Sequence, residues 1–269
     1  MKALEQIDGW PAATAAVAVV TPDGVVARRG PDDVVLRWAS VTKLLTAYAA
    51  LVAAEEGVLD LDEPAGPPGA TVRHLLAHAS GLPFEGDQPI GRPGERRIYS
   101  NAGFDLLGEL VAARAEMAFG DYLRGAVLAP LELGSVELRG RPSEGLQGAI
   151  GDLARFGREL LAPTLVAPET LAEATEVVYP GLVGVLPGIG RQDPNDWGLG
   201  FELKNGKRPH WTGSRNSPRT FGHFGGAGTF LWIDPDARCA LACLTDLEFD
   251  EWALAAWPPL ADAVLDQLR

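Results

Sequence analysis

The chain has 269 residues, 46% of them hydrophobic and 22% charged, a globular balance that excludes a disordered or collagen-like polypeptide. Lys and Arg number 23 against 36 Asp and Glu, a formal net charge of −13. With lysine only at Lys2, Lys43, Lys204 and Lys207, so acidic a chain is a poor match for nucleic acid or an anionic membrane surface, which both demand a basic face.

No run of about 18 apolar residues occurs, so no bilayer-spanning helix is expected. The apolar stretch from Ala12 to Val20 follows Glu5, Asp8 and Pro11 rather than a basic lead-in. It reads as a short helical start running into a strand, not as a secretory leader. Ala15 to Val20 and Val25 to Arg28 flank Thr21-Pro22-Asp23-Gly24, the turn signal of a hairpin. Helical spacing of apolar residues follows over Thr42 to Glu56, Val72 to His78, Asn101 to Met117 and Ile150 to Leu161. Gly57 stops the first of these and Thr71 caps the second. Gly181 to Asp196, rich in Gly and Pro, reads as a loop. Strands return at Gly198 to Leu203, Thr229 to Asp234 and Ala237 to Thr245, with Pro235-Asp236 turning between the last two. Glu251 to Leu268 is a C-terminal helix that Pro258-Pro259 should kink or break. The only cysteines, Cys239 and Cys243, share the last strand. Four strand residues span about 13 Å, too far for a disulfide, so both thiols should be reduced and buried in a cytoplasmic protein.

Strands, then helices, then strands predict an α+β fold: an antiparallel sheet flanked by helices, with an all-helical insertion. A single domain over 1–269 would then combine an α/β part (about 1–40 plus 190–269) with a helical part (about 41–189).

Several catalytic signatures are missing: no Gly-x-Ser-x-Gly elbow, no phosphate loop, no Gly-x-Gly-x-x-Gly and no His-Glu-x-x-His. Three others are present. In Ser40-Val41-Thr42-Lys43, the serine stands where the extended Leu36-Arg37-Trp38 gives way to a helix. Its hydroxyl there meets free backbone N–H groups and the positive end of the helix dipole. Lys43 lies one turn on, with its amine in reach of the hydroxyl, and a desolvated lysine can activate a serine. A capping serine followed by a solvated lysine is the bland alternative.

Tyr99-Ser100-Asn101 opens a later helix. A phenol beside a buried ammonium is drawn toward its anion, so Tyr99 could relay protons for Ser40. Asn101 could hold a substrate carbonyl or order the lysine, unless it is simply an N-cap beside a packed aromatic. The third segment is Phe221-Gly222-His223-Phe224-Gly225-Gly226-Ala227-Gly228. So glycine-rich a strand marks close approach by a ligand or another backbone, unless it is only a bulged edge. An open edge here would give an N–H to an oxyanion, and His223 adds a titratable group. Random placement of these residue types yields all three motifs in only about 0.003 of such chains.

With these motifs the sequence resembles the serine β-lactamase and penicillin-binding protein superfamily, in the branch of class C β-lactamases, D-Ala-D-Ala peptidases and esterases. The resemblance extends to His74-Leu75-Leu76-Ala77-His78-Ala79-Ser80-Gly81-Leu82-Pro83, to Gly151-Asp152-Leu153-Ala154-Arg155-Phe156 and to Gly225 through Pro235. It implies a β-lactamase/transpeptidase-like fold and a serine hydrolase acylated at Ser40. Lys43 and Tyr99 would share acid/base work, with either as the base, and Asn101 would contact substrate. His223 would stand in place of the lysine of the family's Lys-Thr-Gly motif, and the Gly225-Gly226 backbone would join Ser40 at the oxyanion. Phe224 would replace the hydroxyl of that motif. A neutral imidazole and an apolar ring are weak partners for a carboxylate. Small esters or amides are therefore expected ahead of β-lactams and D,D-peptides, unless Arg215 or Arg219 supplies the missing charge. A catalytically weak sensor that keeps the acylation pocket is a further reading. His74 and His78, four apart, lack the third ligand and glutamate base of a zinc site, so neither a metal nor a cofactor is expected. Trp197, His210 and Trp211 precede the His223 strand and are candidate pocket walls. Oligomeric state is left open.

Overall fold

A computed structural model describes residues 1–268. A 3-10 helix over Lys2–Gly9 leads into strand β1 (Ala15–Thr21) and its hairpin partner β2 (Gly24–Arg29). The short β3 (Leu36–Arg37) precedes a 3-10 turn over Ala39–Val41 and helix α1 (Thr42–Glu55). The middle holds α2 (Val72–Leu76), α3 (Asn101–Ala115), α4 (Phe119–Leu123), β4 (Glu137–Leu138), β5 (Leu146–Gly148), α5 (Ile150–Leu161) and α6 (Pro168–Ala174). A small hairpin, β6 (Gly184–Leu186) and β7 (Gly190–Gln192), is followed by β8 (Glu202–Leu203), β9 (Phe221–Gly225), β10 (Thr229–Asp234), β11 (Cys239–Thr245) and α7 (Glu251–Leu268).

The main sheet is six-stranded and antiparallel, in the order β2-β1-β11-β10-β9-β8, so the two ends of the sequence meet in its middle. Alternation along its strands makes two cores. Ala16, Ala18, Val20, Leu231, Ile233, Ala240, Ala242 and Leu244 face α5 and α1. Val17, Val19, Phe230, Trp232, Cys239, Leu241 and Cys243 face α7 and the N-terminal 3-10 helix. Both cysteines are free and buried. Helix α1 is buried from Thr42 to Ala53 without a break, which explains why it is apolar on every side. No helix of the described residues is long and apolar enough to cross a membrane.

The structure corrects three readings of the sequence. Only Glu202–Leu203 of the expected strand 198–203 is extended. Gly200 is left-handed, its absent Cβ leaves room for Ala47, and the backbone at 199–200 bonds to Ala174 and Leu76 rather than to β9. The expected loop 181–196 contains the β6–β7 hairpin. Helix α7 runs unbroken through Pro258 and Pro259, held along its inner face by buried Trp257, Leu260, Ala261 and Val264.

Candidate active site

Ser40 sits in the 3-10 turn between β3 and α1, with Ala39 at φ +46 just before it. That left-handed backbone is costly for a residue bearing a Cβ. Gly225, at the end of β9, explains how close the sheet comes. A Cβ there would lie 2.5 Å from the Trp38 carbonyl oxygen and 3.1 Å from the Ser40 nitrogen. Beyond Gly222, β9 has no partner on its β8 side, so its terminal backbone faces the serine. Among the described residues, the backbone N–H groups of Ser40 and Gly226 donate to no protein acceptor. Free donors on two converging segments form a natural seat for an anionic oxygen.

Lys43 is fully buried. Its Nζ lies 3.3 Å from Ser40 Oγ, 2.6 Å from Asn101 Oδ1 and 3.0 Å from the Ser143 carbonyl oxygen. The last two groups can only accept, so an uncharged amine donates its two N–H bonds to them and turns its lone pair to the serine hydroxyl. Burial drives the Lys43 pKa down to about 7, with nearby Glu144 and Asp105 resisting.

The Asn101 amide is fixed from its other end. Nδ2 donates to Glu85 Oε1 at 3.0 Å and faces Glu144 Oε2 at 3.4 Å, and carboxylates admit only the NH2 side, which sends Oδ1 to the lysine. The cap of α3 is Ser100, whose Oγ accepts from the Gly103 N–H at 2.9 Å and donates to the Pro83 carbonyl at 2.6 Å. Asn101 is thus the first helical residue and not the cap, and its side chain is free for Lys43.

Tyr99 lies over the amine, its ring centroid 4.8 Å from Lys43 Nζ, and beside His223, whose Nε2 is 3.3 Å from the phenolic oxygen. His223 Nδ1 is 2.6 Å from the Phe224 carbonyl and must donate to it, leaving Nε2 to accept from Tyr99. Burial, and then Lys43, push the imidazole down to about 3, so it is neutral. The expectation that Tyr99 is drawn toward its anion fails. Burial raises the phenol above its ordinary range, while contact with the Ser40 hydroxyl pulls the other way only in part.

A cavity of about 180 Å³ opens on these groups, lined by Ser40, Phe84, Tyr99, Trp197, His223 and Gly226, with Leu186 and Gly188 from the β6–β7 hairpin and Phe249 completing an apolar wall. Trp197 lines it as expected. His210 and Trp211 do not; they stack behind it, 5.4 Å apart, and both bond Glu202. Arg215 and Arg219 lie outside the cavity, paired with Asp266 and Asp236. His74 bonds Thr71 in the cap of α2 and stacks on Tyr179 at 4.4 Å. His78 Nδ1 accepts from the Ser100 N–H at 3.1 Å. Both histidines thus work as structural groups: His74 closes the start of α2, and His78 holds the Tyr99 segment in place.

Sequence reasoning missed Glu85, Asp105, Arg141, Ser143 and Glu144. Ser143 reaches the amine with a backbone carbonyl, which carries no signal in the sequence, and the others are ordinary surface charges until the fold gathers them.

The sequence model of the family described as Beta-lactamase matches residues 7–265. A solved structure of a beta-lactamase from Mycobacterium bovis is 54% identical and superposes with a TM-score of 0.98, covering 99% of each chain. The hydrolase EstCE1, with promiscuous acyltransferase activity, shares the fold at TM-score 0.81 and 17% identity, over 98% of this chain and 96% of that one. A penicillin-binding protein from Bacillus subtilis is 26% identical over 177 residues, 52% of this chain and 38% of its own length. The matched segment thus spans well under half of that curated relative.

Proposed function

The chain belongs to the Beta-lactamase family, the family model matching residues 7–265, and on that footing we propose a serine hydrolase that is acylated at Ser40 and acts on small uncharged esters or amides. The observation that carries this reading is the hydrogen-bond pattern of Lys43. Two acceptors take its N–H bonds and its lone pair is left for Ser40.

In the proposed reaction, Lys43 takes the Ser40 proton as Oγ attacks the substrate carbonyl, and the new oxyanion receives the N–H groups of Ser40 and Gly226. The bond to the leaving group then breaks. The proton held by Lys43 returns to the leaving oxygen or nitrogen on the Tyr99 side of the cleft, so the amine ends the step neutral. Water repeats the sequence: its proton passes to Lys43, the hydroxyl adds to the acyl carbon, and Ser40 Oγ departs with the proton returned. Lys43, at about 7, is matched to base work near neutrality, whereas Tyr99 stays a neutral donor.

The lining supports uncharged substrates. Among the described residues it holds neither Lys nor Arg, and the carboxylate of Glu202 is turned to Lys207, His210 and Trp211. A cavity of about 180 Å³ suits a short acyl group, being below the roughly 300 Å³ at which drug-sized pockets begin. The second reading, β-lactam or D,D-peptide hydrolysis, draws its support from the beta-lactamase that is 54% identical.

The test is a panel of p-nitrophenyl acetate and butyrate, D-amino acid amides and nitrocefin, with the Ser40 adduct mapped by mass spectrometry. Steady turnover of the short esters, lost in Ser40→Ala, is the expected outcome. Turnover confined to nitrocefin favours the second reading. A single burst without steady state would mark a sensor, and labelling that survives Ser40→Ala removes the assignment altogether.

A further inference from the structure

Lys43 contacts no carboxylate, yet an exposed ion cluster stands directly behind it. Arg141 grips Glu85 with both terminal nitrogens, at 2.6 and 2.9 Å, and takes Glu144 at 2.6 Å and Asp105 at 3.3 Å. These residues come from three places: the segment after Ser80-Gly81-Leu82, helix α3 and the 139–146 loop. The same loop wraps the base of the amine. Its Ser143 carbonyl accepts from Lys43 at 3.0 Å, its Pro142 carbonyl from Thr46 at 2.6 Å, and its Leu146 N–H donates to Thr42 at 3.0 Å. Asp105 takes the Ser143 N–H at 3.0 Å.

Resting on the hydrolase reading above, we propose that the Glu85–Arg141–Glu144 cluster is the positioning device of the Lys43 amine: it fixes the sense of the Asn101 amide, seats the Ser143 carbonyl on Nζ, and sets the charge the amine feels. If Glu85 and Glu144 were neutral amides, the Asn101 amide could turn over and offer Lys43 its NH2, and an uncharged amine would then point an N–H at the serine instead of its lone pair. Arg141 keeps the two carboxylates in place and offsets their field. Glu85 accordingly stays ionised through the neutral range, held down to about 2 by Arg141 and Asn101. The other groups facing Lys43 are the Tyr99 phenol and the imidazoles of His78 and His223, each held in its neutral form by burial. Against the larger effect of burial, the charges acting on the amine are Glu144, Asp105 and Glu85, which favour the ammonium, and Arg141, which opposes them.

The signs follow. Arg141→Gln leaves three carboxylates unopposed, which favours the ammonium; Glu85→Gln removes one of them and favours the free amine. The cluster is about half exposed, its side chains at 41–47%, so solvent screening holds each shift to roughly 0.3–1 pH unit. With only four lysines in the chain, the titration of Lys43 can be read directly by NMR of lysine labelled with 13C at Cε, assigned with Lys43→Met. We expect the midpoint to rise in Arg141→Gln and to fall in Glu85→Gln, with the acid limb of kcat/KM for p-nitrophenyl acetate moving in step. Should Arg141→Gln fail to fold, Glu85→Gln and Glu144→Gln carry the test, each lowering the midpoint. An unmoved midpoint, or shifts of the same sign in Arg141→Gln and Glu85→Gln, overturns the proposal. If the NMR midpoint shifts as expected while the kinetic limb stays fixed, the cluster is established and the general-base role of Lys43 falls instead.

Discussion

Two lysines are buried in this molecule, and their surroundings separate a proton acceptor from a structural cation. Lys43 meets only uncharged oxygens, those of Ser40, Asn101 and Ser143. Lys207 is pressed against the Glu202 carboxylate, which also accepts from His210 Nε2 and Trp211 Nε1, each at 2.9 Å. Burial lowers both amines, but at Lys207 the adjoining carboxylate pushes back. Lys207 and His210 in turn hold Glu202 down to about 2 against its own burial. A buried charge with a partner is a brace; a buried amine with none is ready to take up a proton.

Exchanging each lysine for methionine should break the comparison apart. Lys43→Met removes the base and should cut kcat/KM for p-nitrophenyl acetate by about 10³-fold, a typical loss for a positioned general base. Circular dichroism should show the fold intact. In Lys207→Met the Glu202 carboxylate is left buried without its cation, and urea unfolding should show a loss of about 3–5 kcal/mol. Comparable losses of both activity and stability in the two variants would erase the distinction.

A finer test uses pH. Below about pH 7 both the folded and the unfolded chain hold the Lys43 proton. Between about 7 and the ordinary lysine value of 10.5 only the unfolded chain holds it. The unfolded state then binds more protons, so stability rises with pH, at up to about 1.4 kcal/mol per pH unit from this group. The wild type should gain stability relative to Lys43→Met as the pH is raised from about 7.5 to about 9.5, below the range where tyrosines titrate. Parallel curves would show that Lys43 keeps its proton.

Cations outside the interior should matter least. Arg215 and Arg219 are paired at the surface with Asp266 and Asp236, and exposed pairs contribute about 0–1 kcal/mol. Arg215→Ala and Arg219→Ala should leave ester hydrolysis within roughly twofold. A large loss in either would mean that substrate reaches them.

The hairpin at the N-terminus, the strand at Thr229–Asp234 and the helix at Ile150–Leu161 could be read from periodicity and turn residues alone, because each is bounded by local chemistry. Ser40, Lys43, Tyr99, Asn101 and His223 could be found as motifs, and the structure brings all five together. Two things stayed hidden. The cluster of Glu85, Asp105, Arg141 and Glu144 is assembled from distant segments, so no spacing announces it. The state of the Tyr99 phenol is hidden because the sequence shows a lysine but not its loss of water; once Lys43 is buried its charge is no longer dependable, and burial of the phenol decides. Strand 198–203 failed for a similar reason, since Gly200 answers to the packing of Ala47 and not to its own neighbours in sequence.

The central claim is that an uncharged Lys43 activates Ser40, and the most direct measurement is the rate at which a fluorophosphonate labels Ser40 as a function of pH. The account predicts a rate that climbs through a midpoint near 7 and levels off above it, with labelling abolished in Ser40→Ala and reduced to a slow, pH-independent trace in Lys43→Met. A wild-type rate that is flat across this range, or a Lys43→Met profile with the same midpoint, would contradict it.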